Sequence, residues 1–142
     1  MQEINTSSNG TAFHFRIDNH SGVPLYRQII DQVLIAIAAG ALPPGAQLPT
    51  VRQVAVDLSV NPNTVMRAYR ELEIRGILDT QQGTGTFITQ QQVPRDEIER
   101  RRRLDQLAGE FIARAAGEGF ALDEIVECLK DLAAEKKKRS RS

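Results

Sequence analysis

From Leu25 onward, apolar residues fall at 25, 29, 30, 33, 34 and 37, the three-and-four spacing of one helical face. Pro24 can open this predicted helix, because the N–H that proline lacks has no partner in a first turn. The helix is expected to stop near Gly40, since Leu42-Pro43-Pro44-Gly45 cannot continue it. A second set, Val51, Val54, Ala55 and Leu58, predicts a short helix capped by Thr50. Ser59-Val60-Asn61 leaves room only for a tight connection. Asn61 is a strong N-cap and Pro62 suits the first helical position behind it. The helix that follows should run to about Arg75 and end at Gly76 in the left-handed conformation. Two helices so closely joined make a helix–turn–helix.

Shorter patterns flank this pair. Phe13-His14-Phe15-Arg16-Ile17 alternates apolar and polar residues and predicts a short strand, and Asp18–Gly22 reads as a turn. Ile77–Gln81 and Thr86–Gln90 read as two strands joined through Gln82-Gly83-Thr84-Gly85. Beyond a linker at Gln90–Pro94, a long helix is expected from Asp96 to about Ala116, with Ile98, Leu104, Leu107, Phe111 and Ile112 on one side. Gly117-Glu118-Gly119 breaks it, and Leu122, Ile125, Val126, Leu129 and Leu132 mark a final amphipathic helix. The expected fold is therefore mainly α with one small β hairpin. It divides into a flexible arm at 1–12, a domain at 13–90, and a helical region at 91–142 ending in a disordered basic tail, Lys136–Ser142.

Composition narrows the function classes. The chain has 142 residues with 18 basic and 18 acidic side chains, so net charge neither demands nor forbids a polyanionic partner. A single Cys excludes an internal disulfide framework and fits a reducing compartment. The longest apolar run, Val33–Ala39, is far short of the ~20 residues that span a bilayer. Met1–Gly10 has no basic start or apolar core and does not read as a secretory signal. The expectation is a cytoplasmic protein without a membrane partner. Residues 1–90 hold six arginines against seven carboxylates, and every Lys lies from Lys130 onward.

The helix after Asn61 carries the most specific chemistry. With Val65 set at zero and 100° per residue, Ala68, Tyr69 and Leu72 lie within about 60° and form the face to bury. Asn63, Arg67 and Arg70 lie about 140–200° away, with Thr64 in the first turn. Such a helix suits the DNA major groove, where Asn pairs with adenine and Arg with guanine. Arg52, early in the preceding helix, can reach the same side. The plainer reading is a small helical core with a solvated polar surface. Other signals are weak. Gly83-Thr84-Gly85 has no Lys-Ser/Thr or helix behind it, so it does not read as a phosphate loop. Arg100–Arg103 point to different sides of a helix, and Lys136–Arg139 reads as a solvated tail that could add nonspecific DNA affinity. Cys128 has no partner for redox sensing, His14 and His20 have no metal-ligand neighbours, and no catalytic arrangement stands out. Neither a cofactor nor a metal is expected.

Taken in order, three stretches resemble one known family. They are Pro24-Leu25-Tyr26-Arg27-Gln28-Ile29, Gly40–Arg52 with its Leu48-Pro49-Thr50, and Asn61–Val65 with Ala68–Glu73 and Gly83–Ile88. Together they are similar to the winged helix–turn–helix domain of GntR bacterial transcription regulators. The resemblance implies that the hairpin is a wing whose tip, Gly83, Thr84 and Gly85, enters the minor groove. It implies that Arg52 contacts bases or phosphates and that Asn61, Asn63 and Thr64 sit in the major groove. The short remainder is similar to the YtrA subfamily, whose helical appendage implies dimerisation. Two such hairpins could bury their stripes, including Leu104, Leu107, Phe111, Ile125, Leu129 and Leu132, as a four-helix arrangement. Many members have Arg where this chain has Pro62 and Met66, so those two contact roles do not carry over; Arg67 would take part of them. The implied function is a homodimeric regulator of a pseudo-palindromic double-stranded operator, a repressor, often of ABC-type transporter operons. About fifty residues leave little space for an effector cavity of ~300–1,000 Å³, so an effector site would lie between domains or at a dimer interface. Two rivals remain. A winged-helix protein–protein adaptor would show no salt-sensitive DNA binding. A hydrolase built on the Gly-Thr-Gly turn would lack a base and a nucleophile.

Overall fold

The apolar stripe that begins at Leu25 produces helix α1, Leu25–Ala38, in a computed structural model that describes residues 13–90 and 96–141. Pro24 occupies its N-cap, and Gly40, at φ 84°, turns the chain away from its end. The chain then forms β1 (Gln47–Leu48), α2 (Val51–Leu58), α3 (Pro62–Ile74), β2 (Leu78–Gln81), β3 (Gly85–Ile88), α4 (Glu97–Gly117) and α5 (Leu122–Arg141). The strands form one antiparallel sheet in the order β1-β3-β2. The chain divides into two compact units, with the boundary between Gln91 and Gln92.

In the first unit α3 packs on α1, α2 and β2. Its buried face is Val65, Ala68, Tyr69 and Leu72, the set that the helical spacing selects. They join Ile29, Ile30, Val33 and Ala36 of α1, Val54 and Ala55 of α2, and Leu78 and Ile88 of the hairpin in one core. Thr50 caps α2 by accepting from the Gln53 N–H at 3.0 Å, and Asn61 caps α3 by accepting from the Asn63 N–H at 2.8 Å. These bonds satisfy orphan donors at the two helix starts.

Four features depart from the sequence reading. Residues 13–17 do not form a strand. Phe13 and Phe15 are buried in the core, their rings edge to face at 4.9 Å, so the alternation reports burial of one side. The segment pairs with no strand among the described residues. The Gln32 side chain instead accepts from the Arg16 N–H at 2.9 Å and donates to the Arg16 carbonyl. Secondly, Gln47–Leu48 forms an extra edge strand against β3, in register Gln47 with Phe87 and Leu48 with Thr86. Thirdly, Ser59 closes α2 in the left-handed conformation at φ 57°, a role that usually falls to glycine. Finally, the backbone of 136–141 continues α5 where a disordered tail was expected. Lys and Arg are good helix formers, and cations near a helix C-terminus complement its dipole. The expected arm at 1–12 and residues 91–94 of the expected linker lie outside the described residues.

The second unit consists of α4 and most of α5. Asp96 caps α4 by accepting from the Ile98 N–H at 2.8 Å, and Glu124 reaches back to the Ala121 N–H at 2.9 Å at the start of α5. Among the described residues of this unit only Ile125 is buried, at 7% exposure. Ile98, Leu104, Leu107, Phe111, Val126, Leu129 and Leu132 are all exposed.

Gln28 gives the fold a sharp stability test. Its buried side chain accepts from the Asp18 N–H at 2.9 Å and donates to the Asp18 carbonyl at 3.0 Å and the Val23 carbonyl at 2.9 Å. Gln28→Ala should destabilise the protein by about 1–3 kcal/mol, because part-buried backbone groups lose their partner. Urea unfolding measures it, and an unchanged midpoint would show that water replaces this side chain without cost.

Candidate nucleic-acid interface

A helix that buries one stripe must present the other. In the first three turns of α3 the outward residues include Asn63, Met66, Arg67 and Arg70, with Thr64 half-buried beside them. They fall into two lines by helical spacing. Asn63, Met66 and Arg70 form one; Thr64, Arg67 and Glu71 form the other. Neither Arg70 nor Arg52, the exposed second residue of α2, has an ion pair or side-chain hydrogen bond among the described residues.

A hydrogen bond ties the backbone just ahead of α2 to α3. The Tyr69 hydroxyl donates to the Pro49 carbonyl at 2.6 Å, and burial pushes its ionisation far above the ordinary phenol range. The phenol therefore stays a donor at any physiological pH. This bond holds the backbone just before Thr50 and Arg52 against the middle of α3. The uncompensated Arg52 and the first turn of α3 thus come from two elements with a fixed mutual placement.

The hairpin is fastened to the same helix. Glu73 of α3 accepts from the Thr80 hydroxyl of β2, and Thr80 lies 3.2 Å from the Thr86 hydroxyl across the strand pair. At the tip the Thr84 N–H donates to the Gln81 carbonyl at 2.9 Å and closes the turn. Gly83 sits at φ 79° and Gly85 at φ 141°, conformations that L side chains rarely adopt. A Cβ on Gly85 would also come within 2.4 Å of the Gln47 amide nitrogen, whereas Gly83 faces open space. Gln47 donates to the Thr84 carbonyl at 3.3 Å, so the edge strand braces the tip.

The residues singled out from sequence therefore behave differently from one another. Arg52, Asn63, Thr64 and Arg70 belong to elements whose mutual placement is fixed, and Gly83, Thr84 and Gly85 form the braced tip. Asn61 is exposed, but its side-chain oxygen is engaged in capping its own helix. Arg67 is engaged too, with its guanidinium carbon 3.7 Å from the centre of the Tyr26 ring on α1. Sequence reasoning missed Tyr26, Glu73, Thr80 and Gln47 as supports. Each lies in a different element from its partner, and helical spacing carries no signal for such contacts. Among the described residues no group of His, Cys, Asp and Glu is arranged to hold a metal, and no helix is long and apolar enough to cross a membrane.

The family model described as bacterial regulatory proteins, gntR family, matches residues 25–88, from the start of α1 to the end of β3. The chain is 37% identical over 110 residues to the HTH-type transcriptional regulator YhcF of Bacillus subtilis, covering 78% of this chain and 90% of that protein. It is 34% identical over 122 residues to the HTH-type transcriptional repressor YtrA of the same organism, covering 86% and 94%. Among solved structures it is similar to one from Listeria monocytogenes EGD-e described as a transcriptional antiterminator. The TM-score is 0.64 at 29% identity, over 91% of this chain and 94% of that one. The family model lies within the first unit, whereas the matches to YhcF, YtrA and the Listeria structure are too long to be confined to it.

The tether between α3 and the hairpin can be tested apart from any ligand. Glu73→Ala removes the acceptor for Thr80, and the surface position limits the loss to about 0.5–1.5 kcal/mol. Amide hydrogen exchange should speed up in β2 and at the tip, while α1 keeps its protection. Unchanged exchange in the hairpin would mean that strand pairing within the sheet alone holds it.

Proposed function

This chain belongs to the gntR family of bacterial regulatory proteins, in its YtrA-like branch, and from that premise we propose that it works as a homodimeric repressor on a pseudo-palindromic operator. Family membership makes it a transcription regulator with a DNA-binding winged helix–turn–helix domain, not an enzyme. Operator symmetry, the dimer, repression and control of a transporter operon in the cytoplasm are the finer parts of the reading.

One observation carries it: α3 buries a complete apolar stripe in its own unit and leaves Asn63, Thr64 and Arg70 outward beside an uncompensated Arg52. In this reading the first turn of α3 enters the major groove, where Asn63 and Arg70 read base edges. Arg52 contacts a base or phosphate, Asn61 orders the turn as its cap, Arg67 adds a further contact, and the Gly83-Thr84-Gly85 tip approaches the minor groove. The second unit supports the dimer. Leu104, Leu107, Phe111, Leu129 and Leu132 are too many exposed apolar side chains for a two-helix hairpin in water. A second copy of the same hairpin would cover them and bury Ile125 more deeply. A dimer of two reading heads matches half-sites about one DNA turn apart, and such a clamp can block polymerase without recruiting anything.

Gel shift of the full-length protein on the region upstream of its own operon tests the central reading, with the adaptor alternative predicting no salt-sensitive shift. Arg52→Ala should weaken binding to the shifted duplex by about 1–3 kcal/mol; normal affinity with unchanged circular dichroism would remove Arg52 from the reading face. Gly85→Val should lower DNA affinity and leave the dimer intact by light scattering. Ending the chain at Pro94 should give a folded monomer at micromolar concentration, and a dimer surviving that truncation would move the interface into the first unit.

A further inference from the structure

Arg67 is the one cation on α3 whose placement is set by another element. Its guanidinium lies on the face of Tyr26, the second residue of α1. The two residues share a shallow depression of about 150 Å³ with Arg27, Ile30, Glu71 and Arg75. Two ion pairs engage the depression's other charged groups: Glu71 with Arg75 at 3.2 Å, and Arg27 with Asp31 at 3.7 Å. Arg67 thus has no carboxylate partner among the described residues.

Resting on the DNA-binding reading above, we propose that Arg67 contacts a backbone phosphate of the duplex, and that Tyr26 positions it for that contact. A guanidinium uses its flat face for an aromatic ring and its edge for hydrogen bonds, so the stack leaves the N–H fork open. That fork matches two oxygens of one phosphate. A base-reading arginine must extend away from its helix toward the floor of the groove. Arg67 is folded sideways against α1, off the line of Asn63, Met66 and Arg70. With α3 in the major groove, its flanks face the sugar–phosphate strands that border the groove, which is where this fork is held. The stack also restricts a long flexible side chain before binding, so less rotamer entropy is lost on contact. Arg67 then supplies affinity and register, while sequence discrimination stays with Asn63, Arg70 and Arg52.

The test uses the full-length protein and two probes: a duplex selected by the wild type from a random library, and a random-sequence duplex of equal length. Arg67→Ala should weaken both by a similar factor, about tenfold. It should also make the slope of log K against log salt shallower by about 0.9. Reselection with the variant should return the same preferred sequence. On the selected duplex, a single neutral methylphosphonate that weakens the wild type should leave Arg67→Ala unaffected. Tyr26→Phe keeps the aromatic face and should bind as the wild type does. Tyr26→Leu should lose part of the affinity, and should lose nothing further once Arg67 is Ala. Loss of preference at one base pair in Arg67→Ala would make the residue a base reader and overturn the proposal. So would unchanged affinity and slope, which would leave the stack a structural contact only. A wild type that binds neither duplex would instead bring down the DNA-binding reading and this proposal with it.

Discussion

The Tyr69 hydroxyl, held 2.6 Å from the Pro49 carbonyl, sits where three parts of the first unit converge. Its ring completes the buried stripe of α3, and its oxygen satisfies a backbone acceptor just ahead of the Thr50 cap. A buried hydroxyl without a partner would cost about 1–3 kcal/mol, so the bond constrains as well as stabilises. It fixes where α2 begins relative to the middle of α3. The backbone position of Arg52, three residues beyond Pro49, follows from that. Phenylalanine in the same place would fill the same volume but would not specify where the backbone must lie. Without that constraint, exposed cations on two helices would be a surface charge pattern; with it, they are a shaped surface.

Much of this was legible from spacing and caps. The stripes of α1, α2 and α3, the caps Thr50 and Asn61, the stop at Gly76 and the glycines of the hairpin tip all follow from local rules about donors, φ angles and burial. Where local rules compete with tertiary partners, spacing misleads. Phe13 and Phe15 alternate as a strand would, yet the Gln32 amide takes the place of a neighbouring strand. Ser59 adopts φ 57° because the Val60 N–H bonds back to Ala55 and the turn to Asn61 allows one residue only, a demand that serine does not advertise. Gln47–Leu48 is too short for any period to show. At the candidate interface the outward set was readable, but not the difference within it. A helical wheel puts Arg67 and Arg70 on one face. Tyr26, 41 positions earlier in sequence than Arg67, is what separates them.

The two units solve opposite problems. The first covers its apolar stripes itself, through α1, α2, α3 and the sheet. The second caps both helix starts well but leaves most of its leucines in contact with solvent. Good caps and a long regular stripe specify helices; they do not bury anything. Such a unit needs a second apolar surface to gain a core, and in the proposed dimer the i, i+3, i+4 spacing of the stripe makes another copy a complementary one. In that proposed dimer, dimerisation and folding of this part would be aspects of one equilibrium, and protein concentration would enter its stability.

Charge sets the final constraint on how a regulator of this kind selects its site. Six arginines and seven carboxylates in residues 1–90 leave no broad positive field to draw the domain onto any duplex. The hairpin adds none: from Ile77 to Gln90 it contains Asp79 and no cation at all. Attraction must then come from a few arginines kept clear of the neighbouring acids. The structure pairs Arg27 with Asp31 and Arg75 with Glu71, while Arg52, Arg67 and Arg70 remain without carboxylate partners among the described residues. A weak general field combined with localised charge lowers nonspecific affinity more than specific affinity, because phosphates contribute to both and base edges only to one. For a protein that must find one site among a genome of competing sequence, that ratio matters more than tight binding itself.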